Sequence, residues 1–240
     1  PSELSPMQVQ MILQTAVSPR PIALASTIDK NGNVNLSPFS FFNLFSSNPP
    51  ILIFSPARRV RDNSTKDTLH NVLEVPEVVI GNVNFDMVQQ VSLSSTEYET
   101  GVDEFIKSGL TKKPAELVKP PLIAESPVNF ECKVIEVKPL GNEGGAGNLV
   151  ICEVLKIHIK EEFLNEEGNL DQKKLDLVSR LGGNWYGRTS AETLFEVPKP
   201  LVTKGIGFDQ LPSEIRNSKI FTGNDLGMLA NVEQLPEGNF

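Results

Sequence analysis

Ser18-Pro19-Arg20-Pro21-Ile22-Ala23-Leu24-Ala25-Ser26-Thr27-Ile28-Asp29-Lys30-Asn31-Gly32-Asn33-Val34-Asn35-Leu36-Ser37-Pro38-Phe39-Ser40-Phe41-Phe42-Asn43 reads as a β-hairpin with a rigid entrance. Ile22, Leu24, Ser26 and Ile28 alternate with Ala23, Ala25 and Thr27, the period of a strand made of small residues. The strand runs into Asp29-Lys30-Asn31-Gly32-Asn33. Asn-Gly between two apolar runs is a strong hairpin signal, so Val34 to Phe42 is predicted to return antiparallel to the first strand.

Working outward, Ile51-Leu52-Ile53-Phe54 and Val78-Val79-Ile80-Gly81-Asn82-Val83 are short apolar runs of core-strand length. Val128 to Val137 and Leu149 to Ile159 form a second hairpin around a loop containing Gly141, Gly144, Gly145 and Gly147. Cys132 and Cys152 lie at equal distances from Asn142, which places them near one another as a free buried thiol pair. Helices are predicted at Lys66 to Val75, at Asp86 to Leu93, and at Asp103 to Lys107 with Gly109 as the stop. Leu175, Val178 and Leu181 stand at helical spacing, which predicts a further helix over Asp171 to Leu181 ended by Gly182. The final forty residues, with Pro198, Pro200, Pro212 and Pro236, read as an extended excursion. The expected organisation is one mainly β domain with helices over residues 1–195, followed by a C-terminal extension, 196–240, packed on the same domain or on a dimer partner.

Composition removes several function classes. In 240 residues there are 22 Lys plus Arg and 30 Asp plus Glu, a formal charge of −8. Such a chain lacks the broad basic surface that phosphate backbones require, so no nucleic-acid partner is expected. No apolar run approaches the roughly 18 residues of a membrane span, and Pro1 to Met11 lacks the basic and apolar regions of a secretory signal. Two cysteines and two histidines without close spacing argue against a metal site. Two cysteines are no disulfide scaffold either, so a reducing, cytoplasmic compartment is expected. Gly144-Gly145-Ala146-Gly147 sits between two strands and opens no helix, so it is not a dinucleotide fingerprint.

Three elements carry candidate chemistry. Pro19 and Pro21 lock the backbone around Arg20, as an anion contact or as a strand entrance with a solvated arginine. Asn35 to Asn43 mixes small polar residues with Phe39, Phe41 and Phe42, a lining suited to a planar, mostly apolar ligand with polar edges or, alternatively, a core strand. Ser55-Pro56-Ala57-Arg58-Arg59-Val60-Arg61-Asp62-Asn63-Ser64-Thr65-Lys66-Asp67-Thr68 follows a strand and enters a helix. Its cations, hydroxyls and helix N-terminus together suit a phosphate; the alternative is a solvated loop with a capping residue.

These residues resemble a known family. Ser-Pro-Arg-Pro at 18–21, the run at 35–43, Asn-Pro-Pro at 48–50 and Lys-Asp-Thr at 66–68 occur in the same order in flavin reductase-like, FMN-binding split-barrel proteins. Glu97-Tyr98 through Gly101-Val102-Asp103-Glu104-Phe105, and Arg180-Leu181-Gly182-Gly183 before Tyr186, are similar to later segments of that family. The resemblance implies a six-stranded antiparallel split β-barrel of Greek-key type, a homodimer, and FMN near the subunit interface. It implies that Ser55, Lys66, Asp67 and Thr68 serve the phosphate end, with Arg20 as a further contact. Ser37, Pro38, Phe39, Ser40 and Phe41 would line the ribityl chain and ring, and Thr27 would touch the ring from the neighbouring strand. Arg180 and Tyr186 would reach the site from elsewhere in the dimer.

The activity implied is an FMN-dependent oxidoreductase that takes electrons from NAD(P)H or a similar donor and passes them to a small-molecule or protein acceptor. The flavin would carry the redox chemistry, so no catalytic side chain is assigned. A non-catalytic FMN-binding electron carrier or flavin-sequestering protein fits the same residues, and so does an interaction protein whose basic loop is merely solvated.

Overall fold

The computed structural model describes residues 2–235, which leaves Pro1 and the stretch containing Pro236 outside the description. The chain forms two compact units, divided between Leu194 and Phe195.

The first unit opens with a helix, α1 (Pro6–Ala16), which the sequence reading did not anticipate. Its signal was present: Ser5 and Gln8 form a reciprocal capping box, and Pro6 takes the first helical position. The strands β1 (Ala23–Ile28), β2 (Val34–Phe39), β3 (Phe42–Ser47) and β4 (Pro50–Phe54) follow. Then come α2 (Asp67–Glu74), β5 (Glu77–Gly81), α3 (Val88–Ser94, entered through a 3₁₀ turn at Phe85–Met87) and α4 (Glu104–Ser108). Gly109 stops α4 in the left-handed conformation, with φ of 69°. The small pair β6 (Lys112–Lys113) and β7 (Leu122–Ile123) precedes the long hairpin β8 (Val128–Pro139) and β9 (Asn148–Ile159). Last come α5 (Gln172–Leu175) and the two-stranded β10 (Val178–Arg180) and β11 (Tyr186–Arg188).

β1 and β2 pair antiparallel around the Asn31-Gly32 turn, with Gly32 at φ of 85°. The expected single strand over Val34 to Phe42, however, is two. β2 ends at Phe39, Ser40 and Phe41 leave the ladder, and β3 pairs with β4 instead. The main sheet therefore has seven strands rather than the expected six, in the order β2-β1-β5-β8-β9-β4-β3. Its two edges, β2 and β3, are consecutive in sequence. A flat sheet of this width would hold them roughly 29 Å apart at the usual strand spacing. The link through Ser40 and Phe41 spans at most about 11 Å. The sheet must therefore roll until its edges approach, and no ladder between β2 and β3 closes it.

Strand alternation divides the core in two. Ala23, Ala25, Phe39, Phe54, Leu69, Val72 and Ile80 pack in one cluster with the buried free thiols of Cys132 and Cys152. Leu24, Leu36, Val79, Met87, Val91 and Phe105 pack in the other. All six residues of β1 are buried, because α2 covers one face and α3 and α4 share the cluster on the other. The predicted helix over Asp171 to Leu181 is a correction. It stops after Leu175, where Asp176 turns left-handed at φ of 44°, and bridges from Leu177 to Asn84 and from Arg180 to Arg20 draw the rest into strand. Tertiary pairing overrides the helical spacing there.

The second unit is no extended excursion. It folds α6 (Ser213–Arg216) and α7 (Gly223–Leu229) around a small core of Leu211, Leu226 and Ala230. Among the described residues, no helix is long and apolar enough to cross a membrane.

Candidate functional site

Strand period places Asn35, Ser37 and Phe39 on one face of β2, with Leu36 turned to the opposite cluster. That face meets the start of α2. Lys66 Nζ lies 3.3 Å from Ser37 Oγ and 5.6 Å from the centre of the Phe39 ring. Thr68 Oγ1 donates to Asn35 Oδ1 at 2.6 Å. One helical turn on, Asn71 Nδ2 donates to Thr27 Oγ1 at 3.1 Å. Thr27, Ser37, Phe39, Lys66 and Thr68 are thus gathered into one patch. Asp67 is the first residue of α2, and Pro38 faces away from the patch opposite Leu24.

The cations of the loop before α2 differ in their freedom. Arg59 Nε donates to Glu97 at 2.9 Å, and Arg61 Nη2 donates to the same carboxylate at 2.5 Å. Arg59 also holds Ser64 and the Thr65 carbonyl. Arg58 is turned to the Asn63 carbonyl at 3.1 Å. These arginines brace the loop. Among the described residues Lys66 has no carboxylate within ion-pair distance. Burial, then the nearby Arg59, holds its ammonium below the ordinary lysine pKa. Lys66 is also the N-cap of α2 and offers no side-chain cap, so the positive end of the helix is left without a side-chain acceptor. The result is a positive locus whose neighbouring carboxylates, Glu97, Glu104 and Asp67, make no ion pair with Lys66.

Ser40, Phe41 and Ser55 belong to the adjoining surface. Together with Arg20, Phe42 and Leu149 they line a cleft of about 360 Å³. Phe41 also borders a groove of about 720 Å³ between α1 and the arginine loop, with Met7, Leu13, Arg58 and Gly145 on its walls. Ser55 Oγ is buried with no hydrogen-bond partner. Gly147 faces it so closely that an added Cβ would stand 2.5 Å from that oxygen. A buried hydroxyl without a partner is costly unless something meets it.

Arg20 is not solvated, and only its Nε is left without a partner. It is buried, and its guanidinium donates to the carbonyls of Gln14, Val17 (2.6 Å) and Leu181 (2.9 Å). Arg20 fastens the end of α1 to the segment after β10. Arg20→Ala is expected to lower stability by about 2–3 kcal/mol, the scale of hydrogen bonds from a charged donor. Urea unfolding checks this, and unchanged stability would return Arg20 to the anion contacts. Arg180 stacks over the Tyr186 ring at 4.5 Å and donates to the Gly183 carbonyl at 2.7 Å. Among the described residues no hydrogen bond joins this pair to the Lys66 patch.

Asn71, Glu97, Glu104 and Gly147 bond or border these residues without having been singled out as site residues. Asn71 had a signal. It falls on the buried stripe of α2 with Thr68, Leu69 and Val72, and a polar residue there must be hydrogen-bonded.

Known proteins resemble this chain in sequence and in overall fold. A family model described as the flavin reductase like domain matches residues 16–176. An uncharacterized protein of Aquifex aeolicus is 36% identical over 181 residues, 75% of this chain and 90% of that protein. Among solved structures, nitrilotriacetate monooxygenase component B from Bacillus cereus superposes with a TM-score of 0.74 at 26% identity, covering 83% of this chain and 96% of that one. The 2-nitrobenzoate 2-nitroreductase of Pseudomonas fluorescens superposes at 0.71 and 26% identity, covering 85% and 98%.

Proposed function

The chain belongs to the flavin reductase-like family, and from that premise we propose that it is an FMN-dependent oxidoreductase taking electrons from a nicotinamide donor. The observation that carries this reading is the Lys66 patch. It holds a partly buried ammonium, free of any carboxylate partner among the described residues, at the uncapped start of α2, beside an aromatic strand. A phosphate monoester on a flat heterocycle has the matching chemistry.

The residues fit the group. Lys66 and the first N–H groups of α2 would bind the phosphate, and the unmet hydrogen-bonding capacity of Ser55 Oγ would be satisfied by a polar atom of the same ligand. The side chains of Ser37, Phe39, Ser40 and Phe41 would line the rest, Pro38 contributing only its main chain because its ring faces away, and Phe41 is half-exposed. Thr27 is held by Asn71, so its hydroxyl keeps one orientation. When bound, FMN supplies the hydride-accepting centre and thus the redox chemistry. The protein's part is orientation and charge, and no side chain is assigned a catalytic role.

The rolled sheet with adjoining edges supports a split barrel over residues 1–195, with 196–240 as an extension. A homodimer is supported by α1, which buries none of its own residues and exposes Met7, Met11, Ile12 and Leu13. The unpaired buried cysteines suit a reducing cytoplasm. The two structural neighbours are by name a monooxygenase component and a nitroreductase, in keeping with a redox role.

The test is the visible spectrum of the purified protein, followed by anaerobic titration with NADH and with NADPH. Bound yellow flavin, bleached by one of the nicotinamides, is the expected result. Flavin that bleaches only with a chemical reductant would replace this reading by an electron carrier. A colourless protein that takes up no added FMN would remove flavin from the account.

A further inference from the structure

The segment Gly101 to Phe105 carries a carboxylate, Glu104, that the proposed function leaves without a task. Glu104 is buried at the first position of α4, with 7% of its surface exposed. Its Oε2 accepts from the main-chain N–H of Leu36 at 3.0 Å. Its Oε1 accepts from Asn35 Nδ2 at 3.0 Å. β2 is an edge strand, so the outward N–H of Leu36 has no neighbouring strand to bond; Glu104 stands in for that strand. An amide that gives its NH₂ to Glu104 must turn its oxygen the other way. That oxygen is where Thr68 Oγ1 donates, at 2.6 Å.

We infer that Glu104 is a positioning residue for the flavin site: its carboxylate clamps the open edge of β2 and sets the direction of the Asn35–Thr68 hydrogen bonds, so that the ligand-lining strand and the start of α2 keep one spacing. The inference rests on the FMN reading for its ligand, but the relay itself is a property of the chain. A consequence is that the single hydroxyl proton of Thr68 is spent on Asn35. Thr68 then meets a phosphate through its main-chain N–H, not through its hydroxyl. Burial raises the pKa of Glu104 while the bonds from Leu36 and Asn35 oppose that rise. The opposition is expected where the charged form is the working one.

A space-filling role and a directional one separate in a double-mutant cycle. Glu104→Gln keeps the volume but loses the charge, and its NH₂ either opposes Leu36 N–H or is accepted by Asn35 only if that amide flips and reverses the hydrogen bond to Thr68. Asn35→Asp alone sets two carboxylates face to face. Combined, the acid and the amide have changed places. The carboxylate now carried at position 35 accepts from the new amide and from Thr68, and the amide oxygen accepts from Leu36.

Thermal unfolding of the flavin-free protein is expected to show a loss for each single variant and a double variant well above the sum of the losses. FMN affinity of Glu104→Gln, read by flavin fluorescence, is expected to fall about tenfold, the scale of one lost charge-assisted bond. Additive losses in the cycle, or a Glu104→Gln protein that binds FMN like the wild type, would overturn the inference. A wild-type protein that binds no FMN strikes the flavin reading, while the stability cycle, which needs no flavin, still decides the relay.

Discussion

Lys66→Ala is expected to weaken FMN binding by about 1.5–3 kcal/mol, roughly 10- to 150-fold, and to leave the melting temperature of the flavin-free protein nearly unchanged. The reason is that Lys66 supports little else. Its Nζ makes one long contact to Ser37 and lies over Phe39, and among the described residues it has no carboxylate partner. Riboflavin, which lacks the phosphate, should bind wild type and variant alike. A pH series sharpens the test. Burial and Arg59 lower the pKa of Lys66, so in the free protein its ammonium loses its proton at a lower pH than an ordinary lysine. The charged form binds phosphate, so FMN affinity should decline as pH rises through that lowered value. Lys66→Arg, charged at every accessible pH, should flatten the decline. An unchanged FMN affinity in Lys66→Ala, or a riboflavin loss as large as the FMN loss, would move the phosphate elsewhere.

Arg59 makes the contrast. It too carries a positive charge in the same loop, but its Nε and Nη1 are taken by Glu97, Ser64 and Thr65. That pairing explains why the run of cations at 58–66 was legible as a candidate phosphate site while the distribution of work within it was not. Glu97 arrives from 36 residues beyond Arg61, and no local pattern announces it. The hairpin at 23–39 was legible because its turn is made locally: Gly32 takes the positive φ, and the Asp29 carboxylate accepts from the N–H groups of Asn31 and Asn33. The break at Ser40 and Phe41 was hidden in an aromatic run that reads as continuous strand, and with it the seventh strand. At 171–181 the three-residue spacing of Leu175, Val178 and Leu181 suited a helix. It equally suits a short turn followed by a strand, and the bridges to Asn84 and Arg20 select the second. Local chemistry shows in sequence; the partners that long-range pairing supplies do not.

Glu131 is the extreme case of such a hidden partner, and replacing it should have the largest effect on stability. It sits in β8 between Phe130 and Cys132 with no exposed surface, in a stretch that reads simply as strand. Its carboxylate accepts from three consecutive main-chain N–H groups, those of Glu116 (3.0 Å), Leu117 (2.6 Å) and Val118 (3.0 Å). His158 Nε2, from β9, lies 2.5 Å from the same group. The segment after Ala115 has no ladder of its own there, so this one side chain satisfies its backbone. Burial pushes the carboxyl pKa up, but the three N–H donors and His158 outweigh it and hold the group below the ordinary range. A carboxylate depressed in the folded state contributes stability above its unfolded pKa and loses it as pH falls through the folded value. Glu131 is therefore one source of acid lability. Glu131→Gln keeps the shape but places an NH₂ against N–H donors. The expected loss is about 3–5 kcal/mol, or about 6–20 °C in melting temperature. His158→Ala, which removes one donor of four, should lose much less. If Glu131→Gln melts within about 2 °C of the wild type at neutral pH, the carboxylate does not hold the 116–118 backbone, and that segment must be secured by Val118 packing in the core instead.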